Sequence, residues 1–314
     1  MKIGDNMADK IFKTLDEQIE ILRSKNLIIN DIDRAKDILF RENYFFINGY
    51  RRLFSPETKR FPEGTTFEEL YATFLFDRNI RNIMFKNILI VENNIKSILS
   101  YQLSKKYGFK QADYLDEKNF DQSPLKARQI KDVLRKMERQ IRVNGKNHLA
   151  TAHYTNKYGY IPMWVVVKVL SMGIISEFFN ILKPEDQKII DDYYKIDAET
   201  MYIYLQMLAN FRNMCAHEDI LYDYRPQKRI PDTLCHKLLD IPMTDGEYNY
   251  GKNDLFALVI ILKRMLEDWE FIELKNEISY EIDVLDGRIH SVSLEEILNR
   301  MGFPTNWKLI GKNF

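Results

Sequence analysis

The sequence predicts a mainly α-helical protein. Apolar residues recur at three- and four-residue spacing along most of the 314 residues, which is the period of an α-helix. Only 12 glycines and 9 prolines interrupt these runs, which favours long helices over many short strands. The pattern changes near the C-terminal end. There we expect a small β-hairpin and a short helix, attached as an appendage to the helical body.

Two amphipathic helices and a loop open the chain. The run TLDEQIEILRSKN places Leu15, Ile19 and Leu22 on one helical stripe. The run DIDRAKDILFREN begins with aspartates that suit an N-cap. The next stretch, NYFFINGYRRLFSPETKRFPEGTTF, contains glycines and prolines, so we expect a loop that includes a short helix.

A long helix follows this loop. Thr65 or Thr66 can cap it, and Gly108 is placed to end it. We expect this helix to be bent or broken once. It belongs to a first predicted region, the N-terminal helical region of residues 1–122.

Three further regions complete the predicted organisation. Residues 123–160 form a basic helix, opened by Pro124, and a polar aromatic loop. Residues 161–275 form a helical core that includes one helix opened by Pro162 and, as the last long helix, NDLFALVIILKRMLEDWEFIELKNEI. Residues 276–314 hold a strand, an Asp-Gly turn and a second strand in YEIDVLDGRIHSVS, followed by a short capped helix.

Composition excludes several classes of protein. Lys plus Arg and Asp plus Glu are both 46, so the net charge gives no sign of a polyanionic partner. Two cysteines are too few for a disulfide scaffold, and neither the CxxC nor the HExxH spacing of metal ligands occurs. The N-terminus lacks a signal-peptide core, and no apolar run is long enough to span a membrane. We expect a cytoplasmic protein without membrane contact, metal or other cofactor.

One arginine falls in an apolar seam. Met201, Leu205, Leu208 and Cys215 follow helical spacing, and Arg212 occupies the position that is missing from this series. An unpaired buried guanidinium is destabilising by several kcal/mol. Arg212 therefore needs a partner anion, or it lines a cleft that water or a ligand reaches.

The same helix end carries Asn213 and His217, four residues apart. Their side chains share a face, and an Asn oxygen can accept from an imidazole N–H and orient the ring. A guanidinium that binds anions and an imidazole that exchanges protons near neutral pH suit cleavage of a phosphodiester by the RNA's own 2′-OH. The structural alternative is that Arg212 pairs with a buried acid and His217 caps the helix.

Several motifs resemble one bacterial family. RNMCAH resembles the Arg-Asn-x₃-His signature of HEPN-fold ribonucleases. The segments ENYFFINGYRRLF, GTTFEELYATFLFDRNIRNIMFKNILIVE, PMWVVVKVLSMGIISEFFNIL and MGFPTNW are similar, in this order, to elements of the Abi-like abortive-infection family, which includes AbiF and AbiD proteins. The resemblance spans about residues 10–310.

This resemblance implies a HEPN-like helical bundle and a metal-independent endoribonuclease, acting in phage defence or as a restrained toxin. It assigns the catalytic roles to Arg212, Asn213 and His217. It also implies an RNA substrate and a cognate small non-coding RNA as partners. The chain departs from the family at Lys168, where relatives usually carry an acidic residue.

HEPN nucleases usually build one active site from two facing motifs. This chain has one full copy, and RNIMFK (81–86) repeats its start but ends in Lys86. That segment is either a decayed partner motif or, as we favour, part of a structural helix. A homodimer with two paired motifs is the expected way to complete the site.

A basic segment offers an RNA-binding surface. Residues 123–157 contain nine Lys or Arg against two Asp or Glu, a local charge of +7. A basic helix beside aromatic residues suits phosphate contact and base stacking, although a solvated helix face is the ordinary explanation of such a run. The candidate RNA-binding residues are Lys131, Arg135, Lys136, Arg139, Arg142 and Lys146, together with Arg225, Lys228 and Arg229 after the motif.

Three functions remain open from the sequence. The first is the RNA-cleaving toxin or defence enzyme. The second is a HEPN-like protein that holds a structured RNA or a partner protein without cleaving it. The third is a structural dimer in which Arg212 forms an interface ion pair.

Overall fold

The computed structural model describes residues 11–55 and 57–311. Residues 1–10, on which the expected absence of a signal peptide partly rests, lie outside the described residues, as do Pro56 of the predicted loop and residues 312–314. The mainly α-helical fold is confirmed. Within the described residues, paired strands occur in one two-stranded antiparallel sheet.

The chain divides into two compact units. The first unit comprises the residues up to Asn79 together with Tyr280–Arg300. The second unit comprises Ile80–Ser279 together with the residues from Met301 on. The four regions predicted from the sequence remain predictions of its organisation.

The first unit is built from short helices and parts of two longer ones. Its complete helices are α1 (Leu15–Ser24), α2 (Ile32–Glu42), α3 (Tyr44–Gly49), α4 (Arg51–Phe54) and α16 (Leu294–Arg300). It also holds the start of α5 (Phe67–Tyr107) and the end of α15 (Asp268–Asp286). Thr66 caps α5, and Tyr50 donates a buried hydrogen bond of 2.7 Å to Asp77 of the same helix.

The second unit contains the rest of the helices and the sheet. They are α6 (Gln111–Tyr114), α7 (Ala127–Asn144), α8 (Leu149–Tyr158), α9 (Met163–Val166), α10 (Met172–Ile181), α11 (Pro184–Tyr194), α12 (Ala198–Ala216), α13 (Leu234–Leu238), β1 (Met243–Thr244), β2 (Glu247–Tyr248) and α14 (Leu255–Met265). Short 3₁₀ turns occur at Glu117–Asn119, Val167–Val169 and Trp307–Leu309. Every residue of α14 from Leu255 to Leu262 is buried, so this helix forms the centre of the core.

Helix α5 is one continuous element of 41 residues, so the predicted break does not occur. It contains neither glycine nor proline, and within the second unit its core positions Ile80, Met84, Ile88 and Ile95 are fully buried. Continuous burial along one face stabilises the whole length. Two other predicted helices are each divided in two, because the chain leaves helical geometry at Leu170, between α9 and α10, and at Leu266, between α14 and α15.

The β-hairpin predicted in residues 276–314 is wrong. Helix α15 continues through the first predicted strand to Asp286, because Ile278, Ile282 and Leu285 are buried at helical spacing. The polar aromatic loop predicted within residues 123–160 is also wrong over Leu149–Tyr158, which form α8. Helix α8 ends at Gly159, whose φ of 75° is the left-handed value that favours glycine.

Candidate functional site

Helix α12 carries the three candidate catalytic residues at its C-terminal end. Asp197 caps its first turn by accepting a 2.9 Å hydrogen bond from the Thr200 backbone N–H. Its apolar face is fully buried at Met201, Leu205 and Leu208. The helix ends with His217 as C-cap residue, after which Glu218 adopts a left-handed φ of 56°.

Arg212 extends from α12 towards α5 within the second unit. Its Nε lies 3.7 Å from Oε2 of Glu92, and its guanidinium carbon lies 5.6 Å from the centre of the Phe85 ring. The distance to Glu92 is too long for a hydrogen bond, and neither of these two atoms has a hydrogen-bond partner among the described residues. The Arg212 side chain is 33% exposed, so part of the guanidinium can be reached from solvent, although Nε is buried.

Glu92 is itself held by a second cation. Its Oε1 accepts a 2.6 Å hydrogen bond from Lys96, one helical turn further along α5. Both side chains are almost fully buried, so this pair neutralises charge in a low-dielectric environment. Glu92 therefore remains compensated whether or not Arg212 stays beside it.

The turn that follows His217 is fixed by Arg81 of α5. The Arg81 Nη1 donates a 3.2 Å hydrogen bond to the carbonyl of Asp219, and Arg81 is only 3% exposed. Lys86, from the same RNIMFK segment, binds Glu273 at 3.1 Å and Glu277 at 2.7 Å. Both side chains thus have structural contacts, and Arg81 positions the chain at the end of α12.

Asn213 and His217 are both exposed and lie on one polar face of α12. This face begins with Gln206 and Asn210, at helical spacing from Asn213. The His217 backbone N–H donates to the Asn213 carbonyl at 3.0 Å. No side-chain hydrogen bond between Asn213 and His217 is present in the described structure, so the expected orientation of the imidazole by Asn213 is not formed.

A cleft of about 590 Å³ adjoins this polar face. Helices α10 and α12 and the segment 224–228 form its walls. Arg225 and Lys228 line the cleft, as do Gln206 and Asn210. Arg229 instead pairs with Glu247 of β2 at 3.2 Å.

The candidate residues of α7 occupy an exposed stripe. Its apolar face packs inward at Ile130, Val133, Leu134 and Met137. The opposite face exposes cations at helical spacing, namely Arg128, Lys131, Arg135, Arg139 and Arg142. Lys146 is exposed just beyond the end of the helix. We call these six residues the α7 stripe.

Lys136 links α7 to the cleft, and Arg135 is locally paired. The Lys136 Nζ binds Glu177 at 2.6 Å, and Glu177 is one of the residues that line the cleft. Arg135 forms an ion pair with Asp132 on its own helix. Residues from α7, α10, α12 and the segment 224–228 are therefore brought to one side of the second unit.

The remaining histidines and Lys168 lie elsewhere. His236 is fully buried: its Nδ1 accepts from the Thr233 backbone N–H, so its Nε2–H donates to the Gly251 carbonyl. Burial lowers the pKa of His236. His148, His153 and Lys168 are exposed. Among residues 11–55 and 57–311, no group of three or more His, Cys, Asp or Glu is arranged to hold a metal ion.

Sequence reasoning missed Glu92 and did not foresee that Arg81 and Phe85, within the RNIMFK segment, contact the region of the motif. The pair Glu92 and Lys96 is visible in ENNIK as opposite charges four residues apart within an otherwise apolar run. That signal marks a buried ion pair, but it does not reveal that Arg212 lies beside it.

A comparison with protein families decides the relationship of this chain. A family model described as Abi-like protein matches residues 37–223, more than half of the chain. The chain belongs to the Abi-like protein family. The matched segment contains all three candidate catalytic residues of this Abi-like protein and ends just before Arg225.

No curated protein and no solved structure matches this Abi-like protein significantly. Family membership indicates a role in abortive infection. Within the described residues, no helix is both long and apolar enough to cross a membrane.

Proposed function

We propose that this Abi-like protein is a metal-independent endoribonuclease that acts as a toxin or phage-defence effector in abortive infection. The observation that carries the proposal is the end of α12. There, a partly exposed guanidinium and an exposed imidazole lie five residues apart on one helix, and Gln206 and Asn210 of the same helix line a cleft that also contains Arg225 and Lys228. The buried Nε of Arg212 has no hydrogen-bond partner among the described residues, which is unusual for a purely structural arginine.

The reaction needs two proton transfers, one from the attacking 2′-OH and one to the leaving 5′ oxygen. His217 takes the proton from a ribose 2′-OH, and the 2′ oxygen attacks the adjacent phosphorus. The bond from phosphorus to the 5′ oxygen breaks, and that oxygen leaves with a proton from an imidazolium. Arg212 stabilises the charge that develops on the phosphoryl oxygens. The products are a 2′,3′-cyclic phosphate and a 5′-hydroxyl.

Asn213 has a positioning role in this scheme. It lies on the same face of α12 as His217, within reach of substrate because both side chains are exposed. A bound RNA can bring the two side chains together, since hydrogen bonds at catalytic sites often tighten only when substrate is present.

Arg212 and His217 project about 140° apart around α12, since each residue advances the helix by about 100°. A single copy therefore presents them on different sides of the helix. We propose that a homodimer completes the catalytic site, because a twofold axis can place Arg212 of one copy opposite His217 of the other. Two motifs then contribute to each catalytic centre.

The α7 stripe with Arg225 and Lys228 would hold the RNA backbone. These side chains are exposed, and exposed cations suit contact with phosphates. Within the described residues, Arg135 is the member of the α7 stripe that forms an ion pair, with Asp132. A cognate small RNA is the second RNA partner that we propose, bound through the same cations and restraining activity.

Purified protein tests this proposal directly. Wild type should cleave RNA in excess EDTA and arrest growth when expressed, whereas His217→Ala should do neither. His290→Ala is the matched control, because His290 is exposed and uses its backbone N–H to bind Glu69. Equal cleavage by wild type and His217→Ala would refute the assignment.

A second candidate function is RNA binding without cleavage, which the exposed α7 stripe favours on its own. It predicts that wild type leaves RNA intact under all conditions while binding it tightly. In that case His217→Ala should bind as wild type does, and variants of the α7 stripe should not.

A further inference from the structure

A row of exposed and half-buried aromatic side chains lies next to α7 in the second unit. Neighbouring ring centres along it are 5.4 to 6.3 Å apart. We call it the aromatic row, and its members in order are Trp164, Phe109, Tyr160, Tyr158, Tyr154 and His153.

These rings are not core residues. Trp164 is 45% exposed, Tyr158 47% and Phe109 38%, whereas Tyr154 and Tyr160 are half-buried. Contiguous exposed aromatic surface is costly in water and is rare on proteins unless it binds something. Helix α8 contributes three of the rings. Thr151 is its one buried residue, so this helix lies mainly at the surface.

Cations accompany the rings. The Lys110 Nζ lies 5.4 Å from the centre of the Tyr160 ring, and the Lys157 Nζ lies 5.3 Å from that of Tyr158. The sequence contains no aspartate or glutamate between Glu138 and Glu177. The other members of the row therefore lie in a stretch without carboxylates along the chain, whereas Phe109 and Lys110 precede it and the Lys110 backbone N–H donates to Asp113.

The aromatic row is continuous with the α7 stripe. Helix α8 packs on α7, and the Thr151 hydroxyl donates a 2.6 Å hydrogen bond to the carbonyl of Asn144 at the end of α7. On its other side, α7 reaches the cleft through Lys136 and Glu177. A strand of RNA lying on the row thus meets the phosphate-binding cations of α7 next.

We propose that the aromatic row is a stacking platform for the bases of unpaired RNA, and hence that the substrate is a single-stranded segment. This inference rests on the proposed function in that it takes RNA as the ligand. Every unpaired base offers a flat face to an exposed ring, while the lysines beside the rings meet the adjacent phosphates. A duplex buries these faces by stacking its own base pairs, so the row would not recognise it.

Charge argues against the alternative occupant, a second copy of the chain. Two identical surfaces that each carry Lys110, Lys157 and the α7 stripe would repel each other when they met. A polyanion with planar bases satisfies both features of the surface at once.

Binding measurements on the His217→Ala background test the platform without interference from cleavage. The probes are a fluorescein-labelled 12-nucleotide RNA without self-complementarity and the blunt duplex of the same sequence. Tyr154→Ala and Tyr158→Ala should each weaken binding of the single strand roughly tenfold or more, because each removes one stacking partner. Binding of the duplex should change less than about twofold.

Two controls keep the test specific. Tyr158→Phe retains the ring and should bind the single strand as the His217→Ala parent does. Tyr101→Ala removes a tyrosine of α5 that is 65% exposed and outside the row, and it should also leave binding unchanged. Tryptophan fluorescence gives a separate measurement. The chain has three tryptophans, and Trp307 is buried, so in a Trp269→Phe variant Trp164 is the exposed one. Its fluorescence should be quenched by the single strand and not by the duplex.

The outcomes separate this inference from the nuclease. Unchanged binding of the single strand by both Tyr→Ala variants overturns the platform even if RNA is cleaved. The platform is also overturned if the Tyr→Ala variants lose equal affinity for the single strand and the duplex. It is overturned as well if these variants lose self-association but still bind RNA. If the single strand binds through the rings but wild type cleaves nothing, the platform stands and the nuclease proposal fails.

Discussion

Arg212 shows how a charged side chain can be kept partly available in a helical core. Its partner Glu92 already has a closer cation in Lys96, so the charge balance at Glu92 does not depend on Arg212. The ring of Phe85 supports the guanidinium without consuming its donors. Such an arrangement leaves the exposed part of the Arg212 guanidinium accessible to a phosphate, while its Nε is buried.

This environment predicts a separation of activity from stability at Arg212. Arg212→Ala should lower the cleavage rate about 10²- to 10³-fold, the usual effect of removing one donor to a developing oxyanion. The free energy of unfolding should fall by no more than about 1 kcal/mol, because a loose, part-exposed ion pair contributes little. Arg212→Lys should not restore the rate, since a point charge lacks the planar fork. Urea denaturation and single-turnover cleavage measure the two quantities, and wild-type cleavage by Arg212→Ala would contradict the prediction.

Two glycines with the same backbone angle provide a matched pair for stability. Gly302 and Gly64 both have φ of +85°. A Cβ at Gly302 would overlap the carboxyl group of Asp254, which caps α14 by accepting from the Ala257 N–H at 2.9 Å, whereas at Gly64 nothing lies within 4 Å.

We expect Gly64→Ala to lower the free energy of unfolding by about 1–2 kcal/mol, because alanine is strained in the left-handed backbone conformation. Gly302→Ala should cost about 2 kcal/mol more, because the cap of the central helix is also displaced. Thermal denaturation of the two variants gives the comparison. Equal losses would show that the Asp254 cap does not depend on the space at Gly302.

At the scale of elements, the dipeptide Asp-Gly occurs at two places with opposite outcomes. Asp245 and Gly246 both have positive φ and join β1 to β2. Asp286 and Gly287 instead end α15, because the apolar residues before them follow helical spacing to the core. The turn signal is local, and burial of the preceding residues determines which structure forms.

The start of α5 predicts a pH-dependent contribution from Glu69. This carboxylate is 3% exposed and accepts from the backbone N–H groups of Thr66, His290 and Ser291 at 2.6 to 2.8 Å. Burial alone would raise its pKa, but these hydrogen bonds lower it below the ordinary 4.5. Glu69 therefore stabilises the fold above pH 4.5, and this stabilisation is lost as pH falls through the lowered pKa.

Glu69→Gln should cost about 1–3 kcal/mol at pH 7, since it removes a charged acceptor of several buried hydrogen bonds. The difference from wild type should shrink as the pH is lowered below 4.5. Glu68→Gln is the control, because Glu68 is the exposed neighbour. Denaturant titrations at pH 7 and at acidic pH measure both, and a difference independent of pH would be inconsistent with this role.

The α7 stripe predicts the salt dependence of RNA binding. Each phosphate contact to a single strand contributes about 0.7 to the slope of log K against log salt concentration. Replacing Arg139 and Arg142 together with glutamine should lower that slope by about 1.4. Lys86→Gln should leave it unchanged, because Lys86 is bound to Glu273 and Glu277. An unaltered slope in the double variant would place the RNA elsewhere.

For the whole molecule, the proposed site requires two copies. Sedimentation of the active protein should give a mass near twice the 37.5 kDa of one chain. Its specific activity should fall on dilution below the dissociation constant of the dimer, because the paired motifs then separate. Full activity in a species of single-chain mass would show that one motif is sufficient.

The sequence predicts the helical class well and the contacts of the site poorly. Helical spacing and scarce glycine and proline locate α1, α2, α5, α7 and α12, because these are local properties. The polar sequence of α8 predicts a loop, because this helix buries almost none of its residues. The position of Arg212 in an apolar seam is visible in the sequence, but its contacts with Glu92 and Phe85 join residues more than a hundred positions apart.

The chemistry of the RNA ends tests the nuclease account most directly. RNA incubated with wild-type protein in EDTA should yield fragments that end in a 2′,3′-cyclic phosphate and begin with a 5′-hydroxyl, identified by mass spectrometry. The same RNA carrying 2′-O-methyl groups should remain intact, as should unmodified RNA incubated with His217→Ala. Fragments with 3′-hydroxyl and 5′-phosphate ends, or cyclic phosphates formed equally by His217→Ala, would contradict attack by the RNA's own 2′-OH at this site.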